Sequence, residues 1–159
     1  MTFDDWMLAL HVLSAFALVG GLILFWVLIV AIRRTDGPMD VLRLGSLSRL
    51  AGAAIGIGMG GTIVLGVWLA FSVGGYDIWD PWIVAAIVLW FVAAALGRRA
   101  DEAYTPAVRK ARELQSAGHE GHDADLVALT RGSNGVTLQL AISAVVLLIL
   151  VDMIWKPGA

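Results

Sequence analysis

WMLALHVLSAFALVGGLILFWVLIVAI, residues 6–32, carries one histidine and no charged side chain before Arg33 and Arg34 close it. A helix gains about 1.5 Å per residue and a bilayer's hydrocarbon core is about 30 Å thick, so this stretch predicts a transmembrane helix. Three further stretches read the same way. One runs from Leu50 to Val73 and is closed by Gly74-Gly75. Another starts at Pro81, a favourable first-turn residue, and its apolar part stops at Arg98. The last runs from Val136 to Trp155, ahead of Lys156-Pro157-Gly158. Composition agrees: 59% of the 159 residues are hydrophobic, more than a single soluble core of this size can cover. The expected fold is all-α, a single membrane domain built as a four-transmembrane-helix bundle. Its spans are about 6–32, 50–73, 81–98 and 136–155.

Basic residues set the expected orientation. Arg33, Arg34, Arg43 and Arg49 lie in the loop 33–49; Arg98, Arg99, Arg109, Lys110, Arg112 and Arg131 lie at or in the loop 99–135. Only Lys156 of the 11 basic residues falls on the other side, where Asp4, Asp5, Asp77, Asp80 and Asp152 gather. The positive-inside rule then places both loops in the cytoplasm and both termini on the non-cytoplasmic side. Trp6, Trp79, Trp82 and Trp155 would form an aromatic belt at the outer interface. The acidic N-terminus lacks a basic region and a small-residue cleavage site, so the first span is expected to stay uncleaved.

The loops carry structure of their own. After the turn Asp36-Gly37-Pro38, Val41, Leu42, Leu44, Leu47 and Leu50 alternate with Arg43 and Arg49, an amphipathic lead-in expected at the interface. The third helix is expected to continue from Asp101 to Gln115, past Pro106, and to stop at Gly118. A polar turn, His119 to Asp123, then precedes a short helix from Ala124 to Arg131.

The chemistry-bearing positions are few. Absence of cysteine excludes disulfides, thiolate sites and iron–sulfur clusters. Gly52, Gly56 and Gly60 form a double GxxxG, with Gly58, Gly61 and Gly66 nearby. Small residues four apart let another helix approach closely. The expected partner is a helix of the same bundle; a homodimer seam and room for a planar cofactor are the other readings. Gly20-Gly21 admits the same choice. His11 is the one histidine inside a span, and intramembrane ionisable groups face a partner or a ligand. Neutral imidazole binds haem iron, and it also serves as a hydrogen-bonded packing residue. Met7, Met153 and Lys156 lie at similar outer depth as second ligands, and two-histidine ligation needs a dimer. Asp152 and Lys156, four apart, read as an interfacial ion pair. His119 and His122, with Glu120 and Asp123, are spaced for a metal in one turn but read first as a solvated loop.

Leu10-His11-Val12, Gly20-Gly21, Gly66-Val67-Trp68-Leu69, Asp80-Pro81-Trp82 and Met153-Ile154-Trp155-Lys156-Pro157 run in order over nearly the whole chain. In these the chain resembles the DUF2269 bacterial integral membrane proteins, which implies a four-helix bundle and supplies no activity. The first-helix histidine and terminal Lys-Pro are also similar to HemJ-type protoporphyrinogen oxidases, and the histidine–glycine pattern to copper-resistance D membrane proteins. That similarity implies haem b, with His11 as the iron ligand and Lys156 as a propionate or substrate contact. The chain departs from the HemJ pattern at Leu22-Ile23-Leu24-Phe25-Trp26, where that family carries histidine and arginine, and it lacks the Asn-Glu-Pro motif before the last helix.

The expectation is a multi-pass protein of the bacterial inner membrane with unassigned activity, a haem-binding or accessory subunit using His11. A HemJ-like oxidoreductase acting on a tetrapyrrole is the alternative from another class. A small transporter or metal-handling protein is disfavoured, because no span shows a line of polar groups or a mid-membrane proline break.

Overall fold

The computed structural model describes residues 2–72, 77–119 and 121–157. Gly74 and Gly75, expected to close the second span, lie outside the described residues. Helix α1 (Phe3–Ile32) opens with a capping box. The Thr2 main-chain N–H donates to Asp5 Oδ2 at 2.6 Å, and the Asp5 N–H donates to Thr2 Oγ1 at 3.3 Å, satisfying donors the helix itself leaves open. Helix α2 (Pro38–Ser72) and helix α3 (Pro81–Ser116) both begin at a proline, which has no N–H to lose. Helix α4 (Ala124–Arg131) is capped by Asp123, whose carboxylate accepts from the Leu126 N–H at 2.8 Å. Gly132 alone separates it from helix α5 (Ser133–Trp155).

Four of these segments are long and apolar enough to cross a membrane: α1, α2, α3 and the α4–α5 run. The chain is a multi-pass membrane protein. At about 1.5 Å per residue, α2 and α3 each exceed 50 Å, well beyond a hydrocarbon core of about 30 Å. The excess lies at the arginine-rich end. The lead-in expected to lie on the interface is instead the first three turns of α2, continuous with the span. Val41 of α2, Ala111 of α3 and Leu126 of α4, each at most 1% exposed, make a small apolar core there. Arg131 pairs with Asp36 at 2.9 Å, and Arg33 donates to the Gly132 carbonyl at 3.1 Å, tying the first turn to the α4–α5 junction. Pro106 sits in this projecting part, so the Glu102 carbonyl it leaves without a helical donor is within reach of water.

Helices α1 and α2 pack along their length, as do α3 and α5; α2 and α3 join the two pairs, and α1 touches α5 only lightly. Outward faces are apolar: Phe16, Val64, Phe91 and Leu147, one from each span, are all exposed. In a bilayer these are lipid contacts.

The glycines do not divide as the GxxxG spacing predicts. A Cβ added at Gly52, Gly56 or Gly60 meets nothing within 4 Å. The close crossing uses other small residues. A Cβ on Gly58 would lie 2.7 Å from Leu18 Cα, one on Gly21 would lie 2.7 Å from Ile55 Cγ1, and one on Gly61 would collide with Ser14 Oγ. Ser14, Leu18 and Gly21 on α1 thus face Gly61, Gly58, Ile55 and Ala51 on α2, spaced by threes and fours. That is the register of antiparallel helices crossing at a shallow angle. Gly56 and Gly58 point about 200° apart at 3.6 residues per turn, so one side chain's placement against α1 turns the other to lipid.

Candidate functional site

His11 sits where α1 crosses α2. Its ring lies against Gly66, where an added Cβ would come within 3.0 Å of Cε1, and close to the main chain of Thr62. Gly66 is therefore the notch that admits the imidazole. Nδ1 is buried and has no hydrogen-bond partner among the described residues. Lys156 leaves α5 in a left-handed conformation, φ 43°, which ends the helical register that would set it above Asp152. Its ammonium lies 5.4 Å from the ring centroid of Trp82 on α3, within cation–π range. Asp152 Oδ2 is buried without a hydrogen-bond partner among the described residues. The helices thus seat His11 on α2 and direct Lys156 to α3.

His119 and His122 are exposed, with the His119 Nε2 atom 3.4 Å from the His122 carbonyl oxygen. Asp123 is occupied as the cap of α4, and Glu120 lies outside the described residues. Among the described residues no three histidine, aspartate or glutamate side chains gather as a metal site.

The feature of the bundle best suited to a ligand lies elsewhere. Because α1 meets α5 only lightly, the two helix pairs leave a cleft of about 330 Å³ between them. Phe25 of α1, Gly52 and Met59 of α2, Trp90 and Gly97 of α3, and Gln139 of α5 line it. Asp101 marks its arginine-rich end. From Trp90 to Asp101 the α3 wall rises about 16 Å at 1.5 Å per residue, half the hydrocarbon thickness. The walls are held by cross-helix hydrogen bonds. Trp90 Nε1 donates to the Met59 carbonyl at 2.9 Å, fixing the indole against α2. Trp26 Nε1 donates to Ser143 Oγ at 3.0 Å, and that hydroxyl donates to the Gln139 main-chain carbonyl at 2.8 Å. Neither Gly52 nor Gly97 has anything within 4 Å of where a Cβ would stand, so both leave the cleft open.

Gln139 is the polar group at the centre of this arrangement. It is 2% exposed, and its Nε2 has no hydrogen-bond partner among the described residues. A buried donor left unpaired costs about 1–3 kcal/mol. Sequence reasoning aimed at ionisable side chains passed over it. The signal was present: Gln139 is the one amide inside the apolar run 136–155.

No known protein family, curated protein or solved structure matches the chain.

Proposed function

We propose that the protein is an intramembrane binding protein that holds one small lipid-soluble molecule between its two helix pairs. The observation that carries this is the apolar cleft of about 330 Å³, within the size range of small-molecule sites and lined by one buried amide among apolar walls. Orientation and compartment belong to the same proposal. The arginine-rich end faces the cytoplasm of a bacterial inner membrane, supported by the near-complete segregation of Lys and Arg to that end. The cleft, lined from Trp90 to Asp101 on α3, then lies in the cytoplasmic half of the membrane.

The test uses a probe with no polar atom, a decyl-substituted methylnaphthalene, and counts bound molecules by native mass spectrometry of protein released from detergent. One probe per chain is expected. Gly97→Leu, at a lining position where an added Cβ meets nothing within 4 Å, should fill the cleft and abolish the adduct. Unchanged binding by that variant refutes the cleft as the site.

Haem at His11 is the second reading, favoured by the unpartnered Nδ1. The residues present do not fit it within one chain. The ring is seated against Gly66 and the Thr62 turn, and the interhelical cleft is lined without His11. Among the described residues, the ring meets α2 directly and the cleft does not reach it. Protein expressed with ample haem should show no stoichiometric Soret band; a band lost in His11→Ala would restore this reading.

A further inference from the structure

The cleft's apolar walls would accept any hydrocarbon, but Gln139 makes it selective. Gln139 is 2% exposed, lines the cleft, and keeps a buried Nε2 donor with no partner among the described residues. Buried donors in native proteins are almost always satisfied, so this one requires a partner. Of the polar groups around it, Trp26 donates to Ser143, Ser143 to the Gln139 main-chain carbonyl, and Trp90 to Met59, while Tyr104 Oη, packed on Gly135 one turn earlier in α5, is also buried without a partner among the described residues. A water molecule needs two to four polar contacts to be held in a buried site, and beside Gln139 the cleft's lining adds only the Asp101 carboxylate and the Trp90 indole N–H, which is already bonded. A single acceptor atom carried on an apolar body needs only the one donor.

Depth narrows the choice. Gln139 lies two turns inside the start of α5. On α3 the cleft reaches Asp101, just past the Arg98-Arg99 pair that ends the apolar run. The donor therefore sits just within the hydrocarbon boundary at the arginine-rich end, with the remaining cleft running inward toward Met59 and Trp90. That order suits a molecule whose carbonyl stays near the boundary while its apolar part points to the bilayer centre. An uncharged carbonyl also suits a mouth that carries Asp101, which would repel an anion.

We infer that the ligand of this cleft is a lipid-soluble carbonyl compound, a quinone ring or an acyl ester, whose oxygen accepts the Gln139 Nε2 hydrogen bond; this rests on the cleft being the binding site. Gly52 and Gly97, open on facing helices, give the slot its flat walls. The Trp90 indole, fixed by its own hydrogen bond, offers one aromatic surface to the bound group.

The experiment compares three probes on the intact protein by native mass-spectrometric titration: a decyl-substituted methylnaphthoquinone, the matching methylnaphthalene, and a short-chain diacylglycerol. Gln139→Leu replaces the amide by an apolar side chain of similar size, and the methylnaphthalene adduct reports that its cleft is intact. At least one carbonyl probe should bind the native protein about tenfold or more tightly than methylnaphthalene, and Gln139→Leu should remove that advantage. Preference for the quinone or for the diacylglycerol identifies the source of the carbonyl. Equal binding of all three probes, or a carbonyl advantage that survives Gln139→Leu, overturns the inference and leaves the cleft standing. Loss of every adduct in native protein, or their persistence in Gly97→Leu, overturns the cleft itself. Gly56→Leu, on the same helix as Gly52 but outside the cleft, should leave all three unchanged.

Discussion

Two glycines two residues apart on α2 have opposite consequences. Gly58 has the backbone of Leu18 in the space a side chain would need, whereas Gly56 faces open space. Gly58→Leu should destabilise the bundle by roughly 1–3 kcal/mol or more, since an overpacked side chain pushes backbone against backbone. Gly56→Leu should be nearly neutral within one chain. Thermal unfolding in a mild detergent separates the two, and a comparable loss at Gly56 would mean that a second copy of the chain packs on that stripe. Gel filtration of the Gly56 variant then reads the change in oligomeric state directly. His11 belongs to the same residue-level logic. Its ring occupies the notch at Gly66, so Gly66→Val should dislodge it, while Gly60→Val, where an added Cβ meets nothing within 4 Å, should not.

At the scale of elements, the two overlong helices are the informative ones. Helices α2 and α3 outrun a bilayer, and their surplus turns acquire a reason once α4 folds across them. Leu126, 1% exposed, is the side chain that α4 contributes to the shared core with Val41 and Ala111. Leu126→Ala should cost the extension about 2–5 kcal/mol, the usual range for a large-to-small change in a packed core. Hydrogen exchange should then speed up in α4 and the last turns of α3 while the spans stay protected. Uniform loss of protection along α3 would mean that span and extension unfold as one unit. A gentler probe tests the side-chain hydrogen bond between Trp26 of α1 and Ser143 of α5. Ser143→Ala removes the Trp26 acceptor and should cost about 0.6 kcal/mol, the average for hydrogen bonds between transmembrane helices, and no more than about 1.7.

For the whole molecule, the testable statement is its sidedness. Cysteine at Ser116, in the last turn of α3, and at Ala159, beyond the described residues, should label from opposite faces of the membrane, Ser116 from the cytoplasm. Labelling of both from one face would end the four-span arrangement. The spans were legible because hydropathy is local: bilayer lipid offers no partner for main-chain polar groups, so a long apolar run is helical almost regardless of its neighbours. Helix starts were legible for the same local reason, as at Pro81 and in the short helix from Ala124. The surplus length of α3 was legible in its charges, which continue to Glu113 at helical spacing on both sides of Pro106. The packing faces were not. GxxxG spacing pointed to Gly52, Gly56 and Gly60, yet Gly21, Gly58, Gly61 and Gly66 carry the α1–α2 crossing.

The amino-acid order therefore determined four long apolar helices and the segregation of positive charge, both properties of a segment taken alone. Only the tertiary structure decided how each span is rotated about its own axis. A helix that is apolar on every side has no polar face to mark its outside, so small differences in how glycine, serine and leucine interlock choose the rotation. That rotation turns Gly56 toward lipid, seats His11 in the Gly66 notch, and brings Gln139 into a cleft that exists only because α1 and α5 barely meet.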